Sequence, residues 1–238
     1  MILITSGCSF SETALPWIDT WPRHLASKLN VDTHISRGMS SQGNGLISRK
    51  VLYSIYDALK TYTADELLVG IMWSGPARGD YLIEDLAQFP KLNPSSFHST
   101  CEIPTNVGEH KRWAILNPHW KHKLTNDYYR VNGHEFLLYQ TLEHILRLQW
   151  FLKLHNIKYF MSAYTTEVLG DSNTDENNHL HEMIDFTQWL PIDGCYEWCR
   201  DHSGLPMPTP SDNHPSSEQH GIFTDRIIIP FLKEKNYV

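Results

Sequence analysis

Several features that mark common protein classes are missing from this chain of 238 residues. No apolar run approaches about 18 residues, so a membrane-spanning helix is not expected. The chain does not open with a charged segment followed by an apolar stretch, so a signal peptide is not expected. Lys and Arg form no cluster longer than Arg49-Lys50 and the formal net charge is −7, so nucleic-acid binding is not expected either.

Cysteine is scarce, with four residues, whereas histidine is abundant, with 14. The cysteines are Cys8, Cys101, Cys195 and Cys199. Cys195 and Cys199 lack a second pair of Cys or His ligands at zinc-finger spacing, so we predict no metal site. No cofactor motif is found. Free thiols in a reducing, cytoplasmic setting are the expectation.

Strand and helix patterns alternate along the chain, and neither a repeat nor a linker divides it. Apolar runs predict strands over 2–4, 67–73 and 157–163, and apolar residues at every fourth position predict helices such as 21–29 and 133–155. This alternation favours a parallel sheet with helices on both faces. We therefore predict one α/β domain over residues 1–238, a three-layer α/β/α sandwich with a flavodoxin-like doubly wound parallel sheet.

Two stretches with weak periodicity, 77–128 and 165–210, are predicted to be irregular insertions. The chain is predicted to close with a helix over 218–232, which Pro230 should end or kink.

A serine follows the first predicted strand. Gly7 permits a tight turn, and Ser9 then stands at the carboxyl end of a strand, where open α/β sheets place their ligand chemistry. The motif is not the Gly-x-Ser-x-Gly elbow, because Ser11 occupies the place of the second glycine. A turn that only connects two elements is the other interpretation. Cys8 is interpreted as a packing residue rather than a nucleophile.

A histidine stands near the other end of the chain, in Ser211-Asp212-Asn213-His214-Pro215, just before the last predicted helix. A serine hydroxyl needs a base to take its proton, and histidine is that base near neutral pH. A carboxylate can fix the histidine's tautomer. Together with Gly7-Cys8-Ser9-Phe10-Ser11, this loop resembles the SGNH (GDSL-like) hydrolase family.

The resemblance implies that Ser9, Asp212 and His214 are catalytic residues for ester hydrolysis. The family places its Asp three residues before the His, whereas Ser211 holds that position here and Asp212 lies two before. Asp212 as a turn residue and His214 as a structural loop residue remain alternatives.

The resemblance also implies donors for the developing oxyanion. The Ser9 amide is one, and a glycine after the second strand is another; Gly43 is preferred over Gly38 because a helix follows it directly. The family's third donor, an Asn after the third strand, is absent from Trp73-Ser74-Gly75-Pro76-Ala77-Arg78. The predicted oxyanion and substrate-binding set is Gly43, Ser74, Asn44, Gly38 and Arg78. His220 is predicted to be a surface residue of the last helix.

The predicted function is a serine esterase that acts on a carboxylic ester, such as an O-acetylated carbohydrate, through an acyl-Ser9 intermediate. Its partners are a small-molecule or glycan ester, with no nucleic acid and no membrane. Two alternatives are an O-acyltransferase and a non-catalytic glycan- or protein-binding module. That module would use Trp113, Trp120, Trp189 and Trp198. A metal hydrolase built on His119-x-x-His122 or His179-x-His181 is disfavoured, because carboxylates at ligand spacing are missing.

Overall fold

The computed structural model describes residues 1–14, 17–83, 112–118, 123–169, 175–208 and 213–238. The strands in this part of the chain are β1 (Ile2–Ser6), β2 (Thr33–Ser36), β3 (Leu67–Trp73), β4 (Gly79–Ile83), β5 (Arg112–Leu116) and β6 (Lys158–Ala163). The helices are α1 (Trp21–Leu29), α2 (Asn44–Ala58), α3 (Lys123–Val131), α4 (His134–Leu154), α5 (Asp175–Glu182), α6 (Cys195–His202), α7 (Ser217–Phe223) and α8 (Ile229–Glu234). Among these helices, none is both long and apolar enough to cross a membrane.

Four strands form a parallel sheet in the order β2-β1-β3-β6. Ile4 of β1 pairs with Ile35 on one side and with Val69 on the other, so β1 lies inside the sheet. This order is that of a flavodoxin-like fold, in which the chain winds outward in both directions from β1. Ligands of such folds bind at the carboxyl ends of β1 and β3, where the winding reverses.

The strands are buried on both faces because their side chains alternate between two cores. Ile2 and Ile4 face the core that holds α2 and α4, whereas Leu3 faces the core that holds Trp21 of α1 and Phe223 of α7. Continuous apolar strands are typical of a parallel sheet covered on both sides. The predicted α/β class and its three layers are therefore confirmed.

The two stretches predicted to be irregular contain regular elements. β4 and β5 form a separate antiparallel pair in which Asp80 lies opposite Ile115, and α3, α5 and α6 also fall in these stretches. Weak periodicity misled the prediction because these elements are short and pack beside the main sheet rather than within it. Residues 84–111 and 170–174 of the two stretches lie outside the described residues.

Pro230 does not interrupt the last helical segment. A π-helical turn, Thr224–Ile228, joins α7 to α8, and Pro230 sits in the first turn of α8. A proline lacks an N–H and its ring crowds the preceding turn, and a wider π-turn provides the extra room. The helical path therefore does not end at Pro230, and its departure from α-helical geometry is the π-turn directly before the proline.

Candidate active site

The structure brings Ser9 and His214 together. Ser9 opens a single 3-10 turn, Ser9–Ser11, that follows β1, and His214 lies in the loop before α7. The Nε2 atom of His214 is 2.6 Å from the Oγ atom of Ser9, although the two residues are 205 positions apart in sequence. Ser9 follows the carboxyl end of β1, so the pair lies at the sheet edge where folds of this type bind ligands.

The turn that carries Ser9 packs closely against β3 and α1. A side chain at Gly7 has no room, since a Cβ there would lie 2.3 Å from Ser11 Oγ and 2.7 Å from the Met72 carbonyl oxygen. Ser11 Oγ in turn accepts a buried hydrogen bond of 2.9 Å from the Trp21 indole N–H. These contacts fix the Ser9 backbone against β3 and α1, so the hydroxyl is presented in one orientation.

Aromatic packing supports His214. The ring of Phe10 lies 5.0 Å from the His214 ring and also contacts Tyr164 and His220, with centroid distances of 5.4 Å and 6.1 Å. His220 is fully buried, so the prediction that it lies on the helix surface is wrong. Burial, together with His24 and His214, lowers the pKa of His220 to about 3. Neither ring nitrogen of His220 has a hydrogen-bond partner among the described residues.

Gly43 and Asn44, predicted as donors to the oxyanion, are engaged elsewhere. The Gly43 N–H donates to Asp80 Oδ1 at 3.0 Å. The Asn44 carboxamide binds the Ser74 backbone twice, accepting from its N–H at 2.8 Å and donating to its carbonyl at 2.8 Å. Their role is to join the first turn of α2 to the end of β3 and to β4. The structure therefore does not bring these donors to Ser9.

Gly38, the other glycine of the predicted pair, lies against the turn of Ser9. A Cβ at Gly38 would be 2.1 Å from the Ser11 carbonyl oxygen, so only glycine allows this approach. Its N–H makes no hydrogen bond to the backbone of the described residues. Gly38 therefore lies closer than Gly43 to the turn that carries Ser9, whereas the Gly43 N–H is engaged by Asp80.

Ser74 and Arg78, the remaining predicted donors, lie after β3. Ser74 is buried, and its hydroxyl has no hydrogen-bond partner in the described part of the chain. The Arg78 guanidinium stacks 5.2 Å from the centre of the Tyr164 ring. Arg78 lines a cavity beside Tyr164 rather than the cleft in front of Ser9.

Asp212 lies outside the described residues, as do Trp120, His119 and His122. The other tryptophans of the alternative binding module are buried or half-buried. Arg49 stacks on Trp113, Trp189 is 7% exposed, and Trp198 packs on Phe223.

Two positioning residues were missed in the sequence. Gln42 is fully buried, and its side-chain amide lies 3.1 Å from the Gly7 carbonyl and 3.3 Å from Ser6 Oγ. The Glu12 carboxylate accepts hydrogen bonds from the N–H and the hydroxyl of Ser40. Each contact ties the Ser9 turn to the loop after β2. Their partners are about 30 residues away, so no local pattern indicates them.

A cleft of about 630 Å³ opens in front of the Ser9–His214 pair. Its walls mix apolar and hydroxyl side chains: Trp17, Ile18, Ser40, Pro208, Pro215, Ser216, Ser217 and Glu218. Trp17 is 75% exposed, so its ring is available at the rim. A hydroxyl bonded to an imidazole beside such a cleft is an arrangement suited to nucleophilic attack on a bound substrate.

Comparisons with known proteins give a distant structural neighbour and a family. No curated protein matches the chain. A solved structure from Desulfitobacterium hafniense DCB-2, of a candidate lipolytic protein of the G-D-S-L family, is 13% identical, with a TM-score of 0.42. The alignment covers 94% of this chain and 95% of that one. Residues 14–204 match a family described as a family of unknown function, DUF6071, and the chain therefore belongs to that family.

Proposed function

We propose that this protein is a serine esterase in which Ser9 is the nucleophile and His214 the general base. The observation that carries the proposal is the 2.6 Å contact between Ser9 Oγ and His214 Nε2. A free serine hydroxyl is a poor nucleophile, and an imidazole within hydrogen-bond distance removes its proton as the new bond forms. The contact joins two distant loops at the sheet edge where folds of this type bind ligands.

The reaction would run in two steps, the acylation of Ser9 and the hydrolysis of the acyl-Ser9 ester. Ser9 Oγ attacks the ester carbonyl carbon while its proton passes to His214 Nε2, and the alcohol then leaves with that proton. An acyl-Ser9 ester remains. A water molecule attacks this ester, giving its proton to His214, and the carboxylic acid is released as Ser9 regains its hydrogen.

Two backbone amides are proposed to hold the oxyanion, those of Ser9 and Gly38. Gly38 lies against the turn that carries Ser9, and its N–H has no backbone acceptor among the described residues. One such donor changes the rate by about 10²–10³-fold. Gly38 thus replaces Gly43 in the proposed set.

Asp212 is proposed to orient His214. Its position two residues before the histidine in sequence supports this role, since a carboxylate on the second imidazole nitrogen stabilises the protonated ring. Asp212→Asn tests the role, because it preserves size and removes the charge.

An O-acetylated carbohydrate is the proposed substrate class. The cleft, at about 630 Å³, is larger than an acetyl group requires, so it can also hold the ring of the alcohol. The exposed face of Trp17 at its rim offers a flat apolar surface for stacking a sugar ring.

The proposal is tested with a fluorophosphonate probe, which forms a covalent bond with activated serines. The wild-type protein, Ser9→Ala and His214→Ala are incubated with the probe, and adducts are read by intact-mass spectrometry. Ser27→Ala is the control, because Ser27 is an exposed serine of α1 that does not line the cleft. One adduct is expected in the wild type and in Ser27→Ala, and none in the other two.

Two results would contradict the proposal. The first is an unlabelled, folded wild-type protein that also leaves p-nitrophenyl acetate and acetylated oligosaccharides intact. The second is labelling that survives in Ser9→Ala. Labelling at Ser9 with acyl transfer to an added alcohol, but no net hydrolysis, would identify an O-acyltransferase.

A further inference from the structure

A second cavity, of about 310 Å³, lies between β4, α3, α4 and the start of α2. None of its lining residues lines the cleft in front of Ser9. We call it the Arg49 pocket and define it by Gly45, Arg49, Arg78, Asn132, Gln140 and His144. Its polar side chains are rich in N–H groups, which distinguishes it from the Ser9 cleft with its apolar and hydroxyl walls.

Positive charge is concentrated at the Arg49 pocket, although the protein carries a net charge of −7. Arg49 and Arg78 line it, and Arg147 contacts His144 from behind. Within the described ranges, none of these guanidiniums forms a salt bridge with a carboxylate. Asp80 is the one acidic residue among the described residues that line the cavity, so positive charge prevails there and favours an anion.

Asp80 also lines the pocket, but its carboxylate is committed to α2. Oδ1 accepts from the Gly43 N–H at 3.0 Å and Oδ2 from the Leu46 N–H at 2.9 Å. Burial raises the pKa of Asp80 to about 6, although both amides, Arg49 and Lys50 oppose the rise. Asp80 therefore caps the first turn of α2, and its carboxylate balances only part of the positive charge at the pocket.

Arg49 and His144 converge over Gly45. A Cβ at Gly45 would lie 3.1 Å from Arg49 Nη1, 3.1 Å from His144 Nε2 and 3.5 Å from Asp80 Oδ2, so the missing side chain leaves a narrow gap between the two nitrogens, with the Asp80 carboxylate beside it. Arg49 is held in place by its stacking on Trp113, with 5.0 Å from Cζ to the ring centre. One oxygen of a small anion can reach both nitrogens across this gap.

His144 presents a donor to the gap. Its Nδ1 lies 3.0 Å from Arg147 Nη2, and because a guanidinium only donates, Nδ1 must accept. Burial, with Arg147 and Arg49, lowers the pKa of His144 to about 4, so the ring is neutral near pH 7 and its proton is on Nε2. The Nε2–H therefore points toward Gly45.

Arg78 also lines the pocket, but its guanidinium stacks on the Tyr164 ring, which lines a neighbouring cavity. Its contribution to the pocket is therefore positive charge rather than a hydrogen bond.

We propose that the Arg49 pocket is a binding site for an oxyanion, the phosphoryl or carboxylate group of a small molecule. Arg49 and the Nε2–H of His144 supply charge-assisted and neutral hydrogen bonds to its oxygens, and Arg78 adds positive charge. The cavity volume limits the ligand to a small molecule rather than a polymer. The site is independent of the acyl chemistry proposed at Ser9.

The test is a calorimetric titration of the full chain with inorganic phosphate and, separately, with succinate, at constant ionic strength set with chloride. Saturable binding of at least one anion is expected, and equally in Ser9→Ala. Arg49→Gln and Gly45→Ala should each weaken it by at least about tenfold, because one removes a charged donor and the other fills the gap. Arg226→Gln is the control, since it removes the same charge from an exposed residue outside the pocket.

Gly45→Ala guards against misfolding as an explanation, because alanine is a better helix former than glycine and the contacts that it meets are side-chain ends. Phosphate binding alone assigns a phosphoryl ligand, and succinate binding alone assigns a carboxylate ligand. No saturable binding of either anion would overturn the proposal. So would equal binding by the wild type, Arg49→Gln and Gly45→Ala.

Discussion

The Ser9 cleft and the Arg49 pocket differ in how their residues are gathered. The cleft takes its reacting groups from two contiguous segments, the turn Ser9–Ser11 and the loop before α7. The pocket takes its residues from α2, β4, α3 and α4 and from the loops beside them. A contiguous segment at the end of a strand can be found in a sequence, whereas residues scattered over four elements cannot. Motif reading therefore finds one kind of site and passes over the other.

The largest effect should separate the two regions by activity. Ser9→Ala and His214→Ala are expected to lower esterase kcat/KM by at least about 10³-fold, because each removes a partner of the proton transfer. Steady-state hydrolysis of p-nitrophenyl acetate measures it. Anion binding at the Arg49 pocket should remain unchanged in both variants, and a parallel loss there would show that the two regions are one site.

The next effect tests whether Asn44 serves chemistry or architecture. Asn44→Ala leaves the Ser74 N–H and carbonyl without their partners in a buried position, and should cost about 2–4 kcal/mol in free energy of unfolding. Urea unfolding followed by fluorescence measures this cost. An oxyanion donor would instead lose about 10²–10³-fold in kcat. A stable variant with that kinetic loss would return Asn44 to the catalytic set.

The third effect is the pH dependence of stability, which should differ between two buried ionisable groups, His220 and Asp80. His220, under Phe10, has its pKa lowered to about 3, so below pH 6.5 the unfolded chain binds a proton that the folded protein does not. Stability conferred by neutral His220 is present above pH 6.5 and is lost as the pH falls toward 3. Asp80, at the Arg49 pocket, has its pKa raised to about 6, so the folded protein binds the extra proton between pH 6 and 3.8. The stability that protonated Asp80 contributes to the folded protein therefore rises on acidification.

Substitutions should reveal these opposite slopes. His220→Phe is expected to flatten the loss of stability below pH 6.5, by up to about 1.4 kcal/mol per pH unit, whereas Asp80→Asn should make that loss steeper between pH 6 and 3.8. Urea unfolding from pH 3.5 to 7.5 provides both curves. Parallel curves for the wild type and His220→Phe would contradict the pKa assigned to His220.

The smallest effect concerns the rim of the Ser9 cleft. Trp17→Ala is expected to raise KM for an acetylated oligosaccharide by about three- to tenfold, with kcat unchanged, because a stacking surface is lost. Trp17 is 75% exposed, so stability should not change. Trp150→Ala is the matched control, as Trp150 is 55% exposed and does not line the cleft. The same KM for both variants would remove Trp17 from substrate binding.

Much of the frame follows from sequence periodicity. β3 and α1 lie at the predicted positions, and α4 and β6 differ by a residue or so at their ends. These elements are long or strongly apolar, and one or both faces are buried, so their pattern is dense. β4, β5 and α3 were missed. β4 and β5 pair with each other outside the main sheet, and α3 begins in a stretch whose apolar pattern is weak.

At the candidate site, local chemistry predicted the serine and the histidine but not the donors around them. The sequence does not distinguish Gly38 from Gly43, because both are glycines in one loop. The structure separates them by their neighbours: Gly38 abuts Ser11, and Gly43 donates to Asp80. His220 was assigned to the surface by its place near a helix start, and only packing shows it to be buried.

The sequence by itself determined the alternation of strands and helices, the tight turn at Gly7 and the chemical identity of Ser9 and His214, since each depends on neighbours along the chain. The tertiary structure decided that the Gly43 amide donates to Asp80, that His220 is buried and that Arg49 and His144 converge at Gly45. Those outcomes depend on contacts between residues far apart in sequence. The free energy of such contacts is set by distance, burial and charge in three dimensions, which no local pattern encodes.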